Sequence, residues 1–345
     1  MSAAPIKAWA AMEKGAALTK FEYTPGPLGN DEVELAVETC GICHSDLSMV
    51  NNEWYFASYP LVPGHEVIGK IAAVGAGVKG VKVGQRVGLG WHAGYCGACE
   101  DCHNSDENLC AGGVPTIAGG ARSGGFGDRV RASERAVVPI PDSVDAKSAG
   151  PLLCGGITVF NPLLQFQIKP TDRVGVVGIG GLGHLALQFY AKWGCHVTAF
   201  TSTKAKAAEA KAFGARDVID STSSEELKAA ARSFDLLVVT ANVKLDWKSY
   251  LGTLRPKGRL HFVGAVVEPI PTPVFALLGR QLSISASPVG SPAAIAKMLD
   301  FAGRHGVKPQ CEYFDMNDEA AVRAAMGKVA DGTVRYRAVL VRESA

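Results

Sequence analysis

The sequence predicts an α/β protein with two domains, a barrel of short antiparallel strands and a doubly wound parallel sheet. Its 345 residues are enough for two domains, each with its own buried core. Short segments separated by Gly and Pro fill residues 1–150, whereas apolar runs alternate with helical stretches after Cys154. In that second part, an apolar strand, a G-x-G-x-x-G turn and a helix follow one another at residues 173–193.

The barrel is predicted from alternating polarity. Residues 32–38 (EVELAVE) change between polar and apolar with period two, which is typical of a strand with one buried face. Further short strands are predicted at residues 67–74, 86–89, 127–131 and 135–140.

The parallel sheet is predicted from continuous apolar strands separated by helices, a pattern that implies helices on both faces. From about residue 291, two helices and a last strand at residues 337–341 should follow, and we expect this tail to fold back onto the barrel. The predicted strands of the sheet are residues 173–178, 197–201, 218–220, 235–240, 259–263 and 282–286.

Composition argues against several kinds of partner. The chain is 47% apolar and 20% charged, which is ordinary for a globular protein. Its 35 basic and 33 acidic residues are scattered, so neither nucleic acid nor an anionic membrane is expected to bind. No apolar stretch approaches the roughly 20 residues of a membrane span, and residues 1–12 do not read as a signal peptide. Nine cysteines at mostly short spacings suit metal thiolates in the cytoplasm better than disulfides.

Four cysteines fall within fifteen residues in the pattern C-x2-C-x2-C-x7-C. Four thiolates can enclose one Zn²⁺ tetrahedrally and leave no coordination position open, which describes a structural zinc site. The predicted ligands are Cys96, Cys99, Cys102 and Cys110.

A second set of ligands consists of Cys43, the neighbours His65 and Glu66, and Cys154. Two cysteines and one histidine leave the fourth position of a tetrahedral zinc free for water or substrate, which is the mark of a catalytic metal. The sequence therefore predicts two zinc ions per chain.

The glycine turn predicts a dinucleotide site. Gly178 permits the tight turn, Gly180 lets the backbone approach the pyrophosphate, and Gly183 allows the helix to pack closely on the strand. Gly181 and Leu182 complete the turn, and the helix N-terminus should hold the phosphates. A glycine-rich turn that binds nothing is the alternative, and the flanking strand and helix count against it.

The residues after the next strand predict NADP(H) rather than NAD. An NAD site usually has Asp or Glu there for the ribose 2′-hydroxyl, and a carboxylate would repel a 2′-phosphate. This chain instead has Thr201, Ser202, Thr203, Lys204 and Lys206, whose hydroxyls and charges can bind the phosphate. The alternative is that the two lysines are simply solvated at the start of a helix.

Several longer motifs carry a resemblance to a known family. Those around the second ligand set are residues 40–47 (CGICHSDL), 64–69 (GHEVIG) and 150–156 (GPLLCGG). They resemble the zinc-dependent medium-chain alcohol dehydrogenases, over essentially the whole chain. Residues 51–54 (NNEW), 91–99 (WHAGYCGAC) and 285–291 (SASPVGS) look most like the cinnamyl-alcohol-dehydrogenase branch and its microbial NADPH-dependent aldehyde reductases.

The resemblance implies a GroES-like catalytic domain of residues 1–155 and 291–345 and a Rossmann domain of residues 156–290. It implies reversible reduction of an aldehyde to a primary alcohol by NADPH at zinc, with a broad range of aliphatic and aromatic aldehydes. It also implies a homodimer formed by joining the edges of two parallel sheets.

The resemblance assigns roles around the catalytic zinc, which Cys43, His65 and Cys154 should hold. Glu66 would lie near the metal or bind it transiently. Asp46 would accept the free ring N–H of His65 and fix its tautomer.

A hydroxyl at Ser45 would pass a proton to the product alkoxide, although a serine that merely caps a turn is the alternative. In much of the family a histidine ends this relay where the present chain has Ser48. Serine does not titrate near neutral pH, so we expect the proton to pass to bulk water. His44 should lie near the cofactor pyrophosphate and is not expected to replace the missing histidine.

Four further residues complete the prediction. Thr158 and Arg337 match family positions that face the nicotinamide and a phosphate. Trp54 and Trp91 should line an apolar substrate cleft, although ordinary core tryptophans would look the same.

Three other functions remain open at this stage. One is an NAD-linked secondary-alcohol or polyol dehydrogenase, and another is a zinc-free quinone reductase, which both ligand sets disfavour. The third is a non-catalytic zinc protein, either a redox sensor or a nucleic-acid binder, built on the cysteine cluster. Cys40 could form a redox dithiol with Cys43, but metal ligation of Cys43 explains that pair without it.

Overall fold

The computed structural model describes residues 4–117, 124–272 and 274–342, without the side chain of Lys204. The chain forms two compact units. Unit 1 contains Met1–Ile157 and Gly290–Ala345, and unit 2 contains Thr158–Val289. In the described part of the chain, no helix combines the length and the apolar character that crossing a membrane requires.

Most regular elements in the N-terminal part of unit 1 are short strands. An antiparallel hairpin of β1 and β2 precedes the long strand β3. The elements are β1 (Ile6–Ala10), β2 (Thr19–Tyr23), β3 (Glu32–Ile42), α1 (His44–Val50), β4 (Val67–Val74), β5 (Arg86–Leu89), β6 (His92–Gly94), α2 (Glu100–His103), β7 (Val114–Pro115), β8 (Arg129–Ser133) and β9 (Val137–Pro139).

The chain passes from unit 1 into unit 2 within α3. Unit 2 contains a six-stranded parallel sheet in the order β12-β11-β10-β13-β14-β15. Its elements are α3 (Gly155–Gln165), β10 (Arg173–Val177), α4 (Gly183–Trp193), β11 (His196–Thr201), α5 (Ala207–Ala212), β12 (Asp217–Asp220), α6 (Ser224–Ala229), β13 (Phe234–Val239), α7 (Trp247–Thr253), β14 (Leu254–Phe262), α8 (Val274–Leu278) and β15 (Ser283–Ala286).

The tail belongs to unit 1. Its last strand pairs antiparallel with β3, which gives a seven-stranded sheet in the order β16-β17-β3-β4-β5-β9, with β8 also on β3. Its elements are α9 (Pro292–His305), β16 (Cys311–Asp315), α10 (Glu319–Ala330) and β17 (Arg337–Val341).

The core of unit 1 lies around β3, where Val33, Leu35 and Val37 are buried on one side of the strand. Two polar residues of the same unit, His65 and Glu66, are also fully buried. Burying a polar group without a hydrogen-bond or ionic partner is costly, so the contacts of these two side chains identify a candidate functional site.

Candidate active site

The first ligand is presented by the junction between β3 and α1. Cys43 follows the last residue of β3 and precedes the first residue of α1. Its backbone N–H donates to Asp46 Oδ2 at 2.8 Å, so Asp46 caps the N-terminus of α1. This cap fixes the thiol of Cys43 at the point where the strand turns into the helix.

Asp46 also holds the second ligand. The ring Nδ1–H of His65 donates to Asp46 Oδ1 at 3.0 Å, and the backbone N–H of Gly64 donates to the same oxygen at 2.8 Å. Both side chains are fully buried. Burial lowers the pKa of His65, but the charges and hydrogen bonds of Asp46 and Cys43 together raise that pKa well above its usual value. The predicted contact is thus present, and it directs His65 Nε2 toward the metal position.

The spacing of the ligand atoms fits a zinc ion. We call Cys43, His65, Glu66 and Cys154 the catalytic cluster; one ligand atom from each lies within 4.8 Å of the others. Cys43 and Cys154 Sγ are 3.9 Å apart, and His65 Nε2 is 3.2 Å from Cys154 Sγ. A tetrahedral zinc about 2.3 Å from each sulphur would separate two thiolates by about 3.8 Å. The hydrogen bond from Cys154 helps to lower the pKa of Cys43 well below its usual value, which favours the metal-binding thiolate.

Glu66 has a partner that sequence reasoning missed. The guanidinium of Arg337 donates to Glu66 Oε1 and to the backbone oxygen of Ile42, the latter at 3.2 Å. Arg337 is only 3% exposed. Its predicted contact with a cofactor phosphate stays a prediction, and the partner seen is Glu66. The two residues are 271 positions apart, so no local pattern could have paired them.

The position of Glu66 requires a glycine on β3. A Cβ at Gly41 would lie 2.0 Å from Glu66 Oε2, so any larger residue would displace the carboxylate. That oxygen has no hydrogen-bond partner among the described residues. Burial raises the pKa of Glu66 to about 6, and the charge of Arg337 opposes the rise. An unpartnered carboxylate oxygen within the metal cluster agrees with the predicted place of Glu66 beside the zinc.

The predicted structural zinc ligands also come together. We call Cys96, Cys99, Cys102 and Cys110 the four-cysteine cluster; their sulphur atoms all lie within 4.8 Å of one another. Cys96 Sγ is 3.4 Å from Cys110 Sγ and 3.9 Å from Cys102 Sγ. Cys96 is exposed and Cys110 is buried. Four sulphur atoms at this spacing fit a closed tetrahedral zinc.

The predicted tryptophans lie beside the catalytic cluster. Trp91 meets the ring of His65 edge-on, with centroids 5.1 Å apart at 82°. Trp54 meets Trp91 edge-on at 5.9 Å. Both tryptophans are half-buried, so each still presents part of its ring to solvent. Their role as a substrate wall stays a prediction.

The family resemblance also implies roles for two residues of α1, Ser45 and His44. Ser45 Oγ lies 3.6 Å from Cys43 Sγ and is half-buried. His44 is the first residue of α1 and is exposed. Ser48 is buried and donates to Glu53, a residue to which the sequence analysis gives no role of its own.

The glycine turn of unit 2 has the backbone that its sequence predicts. Gly178 has a φ of +93°, a conformation that side chains disfavour. A Cβ at Gly183 would lie 2.0 Å from the oxygen of Gly178, so α4 starts in direct contact with the turn. At Gly180 an added Cβ would meet no described atom within 4 Å, which leaves this part of the turn open. Gly181 and Leu182 lead directly into α4.

The predicted phosphate-binding residues follow β11. Thr201 is buried and its Oγ1 accepts from the backbone N–H of Thr203 at 3.2 Å, while Ser202 and Thr203 are exposed. Lys206 Nζ donates to the oxygen of Ile179 at 2.9 Å, within the glycine turn. The side chain of Lys204 lies outside the described part. Thr158 is buried in α3.

An open two-cysteine, one-histidine centre in one unit and a Rossmann sheet in the other define a zinc-binding dehydrogenase. Residues 29–142 match the alcohol dehydrogenase GroES-like domain family, and residues 181–304 match the zinc-binding dehydrogenase family. The chain belongs to the medium-chain zinc-binding alcohol dehydrogenase family. The family and the fold class predicted from the motifs are therefore confirmed.

Individual members of the family resemble this chain over almost its full length. The chain is 54% identical to the aldehyde reductase AdhA of Synechocystis over 97% of this chain and 98% of that protein. It is 38% identical to a probable cinnamyl alcohol dehydrogenase of Oryza sativa, over 96% of this chain and 94% of that protein. Among solved structures, a cinnamyl alcohol dehydrogenase of Sorghum bicolor has a TM-score of 0.93 at 35% identity, over 99% of this chain and all of that one. The Helicobacter pylori enzyme complexed with NADP(H) has a TM-score of 0.89 at 27% identity, over 99% of both chains.

Proposed function

We propose that this protein is an NADPH-dependent, zinc-assisted aldehyde reductase that also oxidises primary alcohols. One observation carries the proposal: Cys43, His65 and Cys154 form a buried metal site with three ligands, which leaves a coordination position for the substrate oxygen. The similarity to an aldehyde reductase over almost the full chain supports the substrate class.

The chain's own residues prepare this site for hydride transfer. Zinc bound there would polarise the aldehyde carbonyl as a Lewis acid. The two thiolates balance the charge of the ion, and Asp46 keeps the ring of His65 in the tautomer that leaves Nε2 free. Ser45, whose Oγ lies 3.6 Å from Cys43 Sγ, would exchange a proton with the substrate oxygen.

NADP(H) is supported by the end of β11. Ser202 and Thr203 expose hydroxyls there, in the place where an NAD site usually has a carboxylate. The solved relative from Helicobacter pylori is complexed with NADP(H). The cofactor would supply the hydride, and the chain would supply a phosphate site without a negative charge.

Initial rates test the cofactor and the substrate class together. NADPH should support faster reduction of benzaldehyde than NADH, and benzaldehyde should react faster than acetophenone. Ser202→Asp should raise KM for NADPH at least about tenfold and leave NADH unaffected, because a carboxylate repels the 2′-phosphate. Ser202→Asn is the matched control without charge. Equal rates with both cofactors, or preference for the ketone, would favour an NAD-linked secondary-alcohol dehydrogenase.

Zinc analysis separates the enzyme from a non-catalytic zinc protein. The proposal requires two zinc ions per chain, whereas a sensor built on the four-cysteine cluster requires one. Turnover by protein that carries only one zinc, in the four-cysteine cluster, would overturn the role given to the catalytic cluster.

In keeping with its free thiols, we place the enzyme in the cytoplasm.

A homodimer is supported by one edge of unit 2. β15 is the last strand of the parallel sheet, and nearby α8 exposes the side chains of Phe275 (85%) and Leu278 (66%). Two copies related by a twofold axis could pair their β15 edges and cover these side chains. Sedimentation should give a dimer, and Phe275→Asp should weaken it. Val243→Asp, at another exposed apolar residue of unit 2, is the control.

A further inference from the structure

Lys206 follows β11 in the chain, but its side chain is fastened to the glycine turn that follows β10. Its Nζ donates to the backbone oxygen of Ile179 at 2.9 Å, although the two residues are 27 positions apart. Lys206 is half-buried, and Ile179 is only 4% exposed. The distance is typical of a good N–H···O hydrogen bond. At least one N–H of this ammonium is therefore used within the turn.

The carbonyls on either side of Ile179 are also held by the protein. The oxygen of Gly178 accepts from Thr240 Oγ1 at 2.8 Å. The oxygen of Gly180 accepts from the backbone N–H of His184 at 3.1 Å. Three consecutive carbonyls of the turn are thus engaged by three different segments, which are the end of β13, the first turn of α4 and the residues after β11.

The N–H groups of the turn, in contrast, have no acceptor in the part of the chain that the structure describes. They belong to Gly180, Gly181 and Leu182. Successive backbone N–H groups at the start of a helix are suited to bind a phosphate. The turn therefore keeps its donors available for a pyrophosphate while its carbonyls are occupied.

One peptide links Lys206 to these donors. The peptide between Ile179 and Gly180 is trans, and a trans peptide directs its C=O and its N–H to opposite sides. Because Lys206 holds the C=O of Ile179, the N–H of Gly180 has to point the other way. Rotation of this peptide would expose a carbonyl in place of a donor.

We propose that Lys206 is a positioning residue for the cofactor pyrophosphate, because it holds the oxygen of Ile179 and thereby orients the N–H of Gly180. The inference rests on the proposed function. It gives the lysine a role that serves NADPH and NADH alike, unlike the contact with the 2′-phosphate that the sequence predicts. Ser202 and Thr203 remain the residues that select NADPH.

The alternative is a direct contact between Lys206 and the 2′-phosphate. An ammonium has three N–H donors, so the bond to Ile179 leaves others for a phosphate. The two roles affect different parts of the cofactor. Lys206→Met removes both donor and charge, whereas Lys206→Arg keeps both. Lys211→Met, at an exposed lysine of α5, is the matched control.

Binding of two cofactor fragments, measured by calorimetric titration, separates the roles without turnover. ADP-ribose contains the pyrophosphate but no 2′-phosphate, and 2′-AMP contains the 2′-phosphate but no pyrophosphate. Lys206→Met should bind ADP-ribose about tenfold more weakly and 2′-AMP as wild type does. Lys206→Arg should recover most of this loss, and Lys211→Met should bind both fragments normally. The loss should persist in about 1 M KCl, which screens charges more than about 3 Å apart.

Kinetics with benzaldehyde give an independent measure. Lys206→Met should raise KM for NADPH and for NADH by a similar factor of about ten, because both cofactors contain the pyrophosphate. The value of kcat should stay within about twofold of wild type, since hydride leaves from the opposite end of the cofactor. A lysine that only stabilised the fold would not produce this division between KM and kcat.

Other outcomes overturn the inference. A loss confined to NADPH and 2′-AMP would make Lys206 a ligand of the 2′-phosphate. Unchanged binding in Lys206→Met would show that the bond to Ile179 does not position the turn, and a loss that disappears in KCl would assign the effect to charge alone. Failure of the proposed function looks different, since the wild-type enzyme would then reduce no benzaldehyde with NADPH, whereas binding of ADP-ribose would still report on Lys206.

Discussion

The two metal clusters of unit 1 differ in how the chain assembles them and in how deeply they lie. The four-cysteine cluster comes from one short segment, because Cys96 and Cys110 are only 14 residues apart. The catalytic cluster joins distant segments, with Cys43 and Cys154 separated by 111 residues. All members of the catalytic cluster are buried, whereas the four-cysteine cluster ranges from exposed to buried.

Charge explains the difference in depth. Zinc with two thiolates and a neutral histidine carries no net formal charge, so the catalytic cluster can be buried at a modest cost. Zinc with four thiolates keeps two negative charges, which are more stable near water. A local sequence motif thus suffices for a closed surface site, while an open buried site needs a complete fold to bring its ligands together.

The largest expected effect separates the two clusters by function. Cys154→Ser should abolish turnover, with a loss of more than about a thousandfold, because it removes one of three ligands. Cys102→Ser, the matched change in the four-cysteine cluster, should lower thermal stability and leave kcat per folded molecule near wild type. Rates, zinc content and thermal unfolding check both variants. Equal losses of turnover with full folding would show that the clusters are not separable.

The second prediction concerns the support behind the metal ligands. Asp46→Asn keeps an oxygen that can accept from His65 but removes the negative charge. We expect a loss of about 10–100-fold in zinc affinity at the catalytic cluster alone. Competition with a chromogenic chelator measures it, with zinc in the four-cysteine cluster as the internal control. Unchanged affinity would mean that the charge of Asp46 does not support the site.

The sequence predicts the sheets well where the pattern is local. The strands Val67–Val74, Arg86–Leu89 and Arg337–Val341 begin and end where predicted, because Gly, Pro or polarity changes flank them. β3 runs on to Ile42 instead of stopping at residue 38, since its last residues pair with both β4 and β17. β16 was missed because its short, half-exposed sequence gives no clear alternation.

The candidate site shows the same division. Both ligand sets are predictable, because residue type and motif identify zinc ligands directly. The contacts of Arg337 with Glu66 and of Ser48 with Glu53 are not. The first pair is 271 residues apart, and the second depends on the turn that follows α1. Contacts set by tertiary structure leave no trace in a single sequence.

A third prediction compares thiol reactivity after zinc removal. Backbone N–H groups of Ala98 and Cys99 lower the pKa of Cys96 to about 6, whereas burial raises the pKa of Cys40 well above its usual value. Alkylation of Cys96 by iodoacetamide should therefore rise with pH through about 6 and level off above 7, where the thiolate is already formed. At pH 7 it should exceed that of Cys40 at least about tenfold.

Mass spectrometry of the labelled peptides checks this order, with zinc-loaded protein as the control in which Cys96 is protected. Faster labelling of Cys40 than of Cys96 would contradict the difference in burial on which the comparison depends.

The smallest effect concerns the aromatic rings beside each cluster. Trp91 meets the His65 ring edge-on, whereas Tyr95 packs against His92 near the four-cysteine cluster, with centroids 5.2 Å apart. If Trp91 forms the substrate wall, Trp91→Leu should reduce kcat/KM for benzaldehyde about 3–10-fold relative to acetaldehyde, because an aromatic contact contributes about 0.5–1.5 kcal/mol. Tyr95→Leu, the matched change, should leave this ratio unchanged. A uniform loss for both aldehydes in Trp91→Leu would instead assign the ring to the support of His65, since a ring that only packs on a metal ligand cannot distinguish one aldehyde from another.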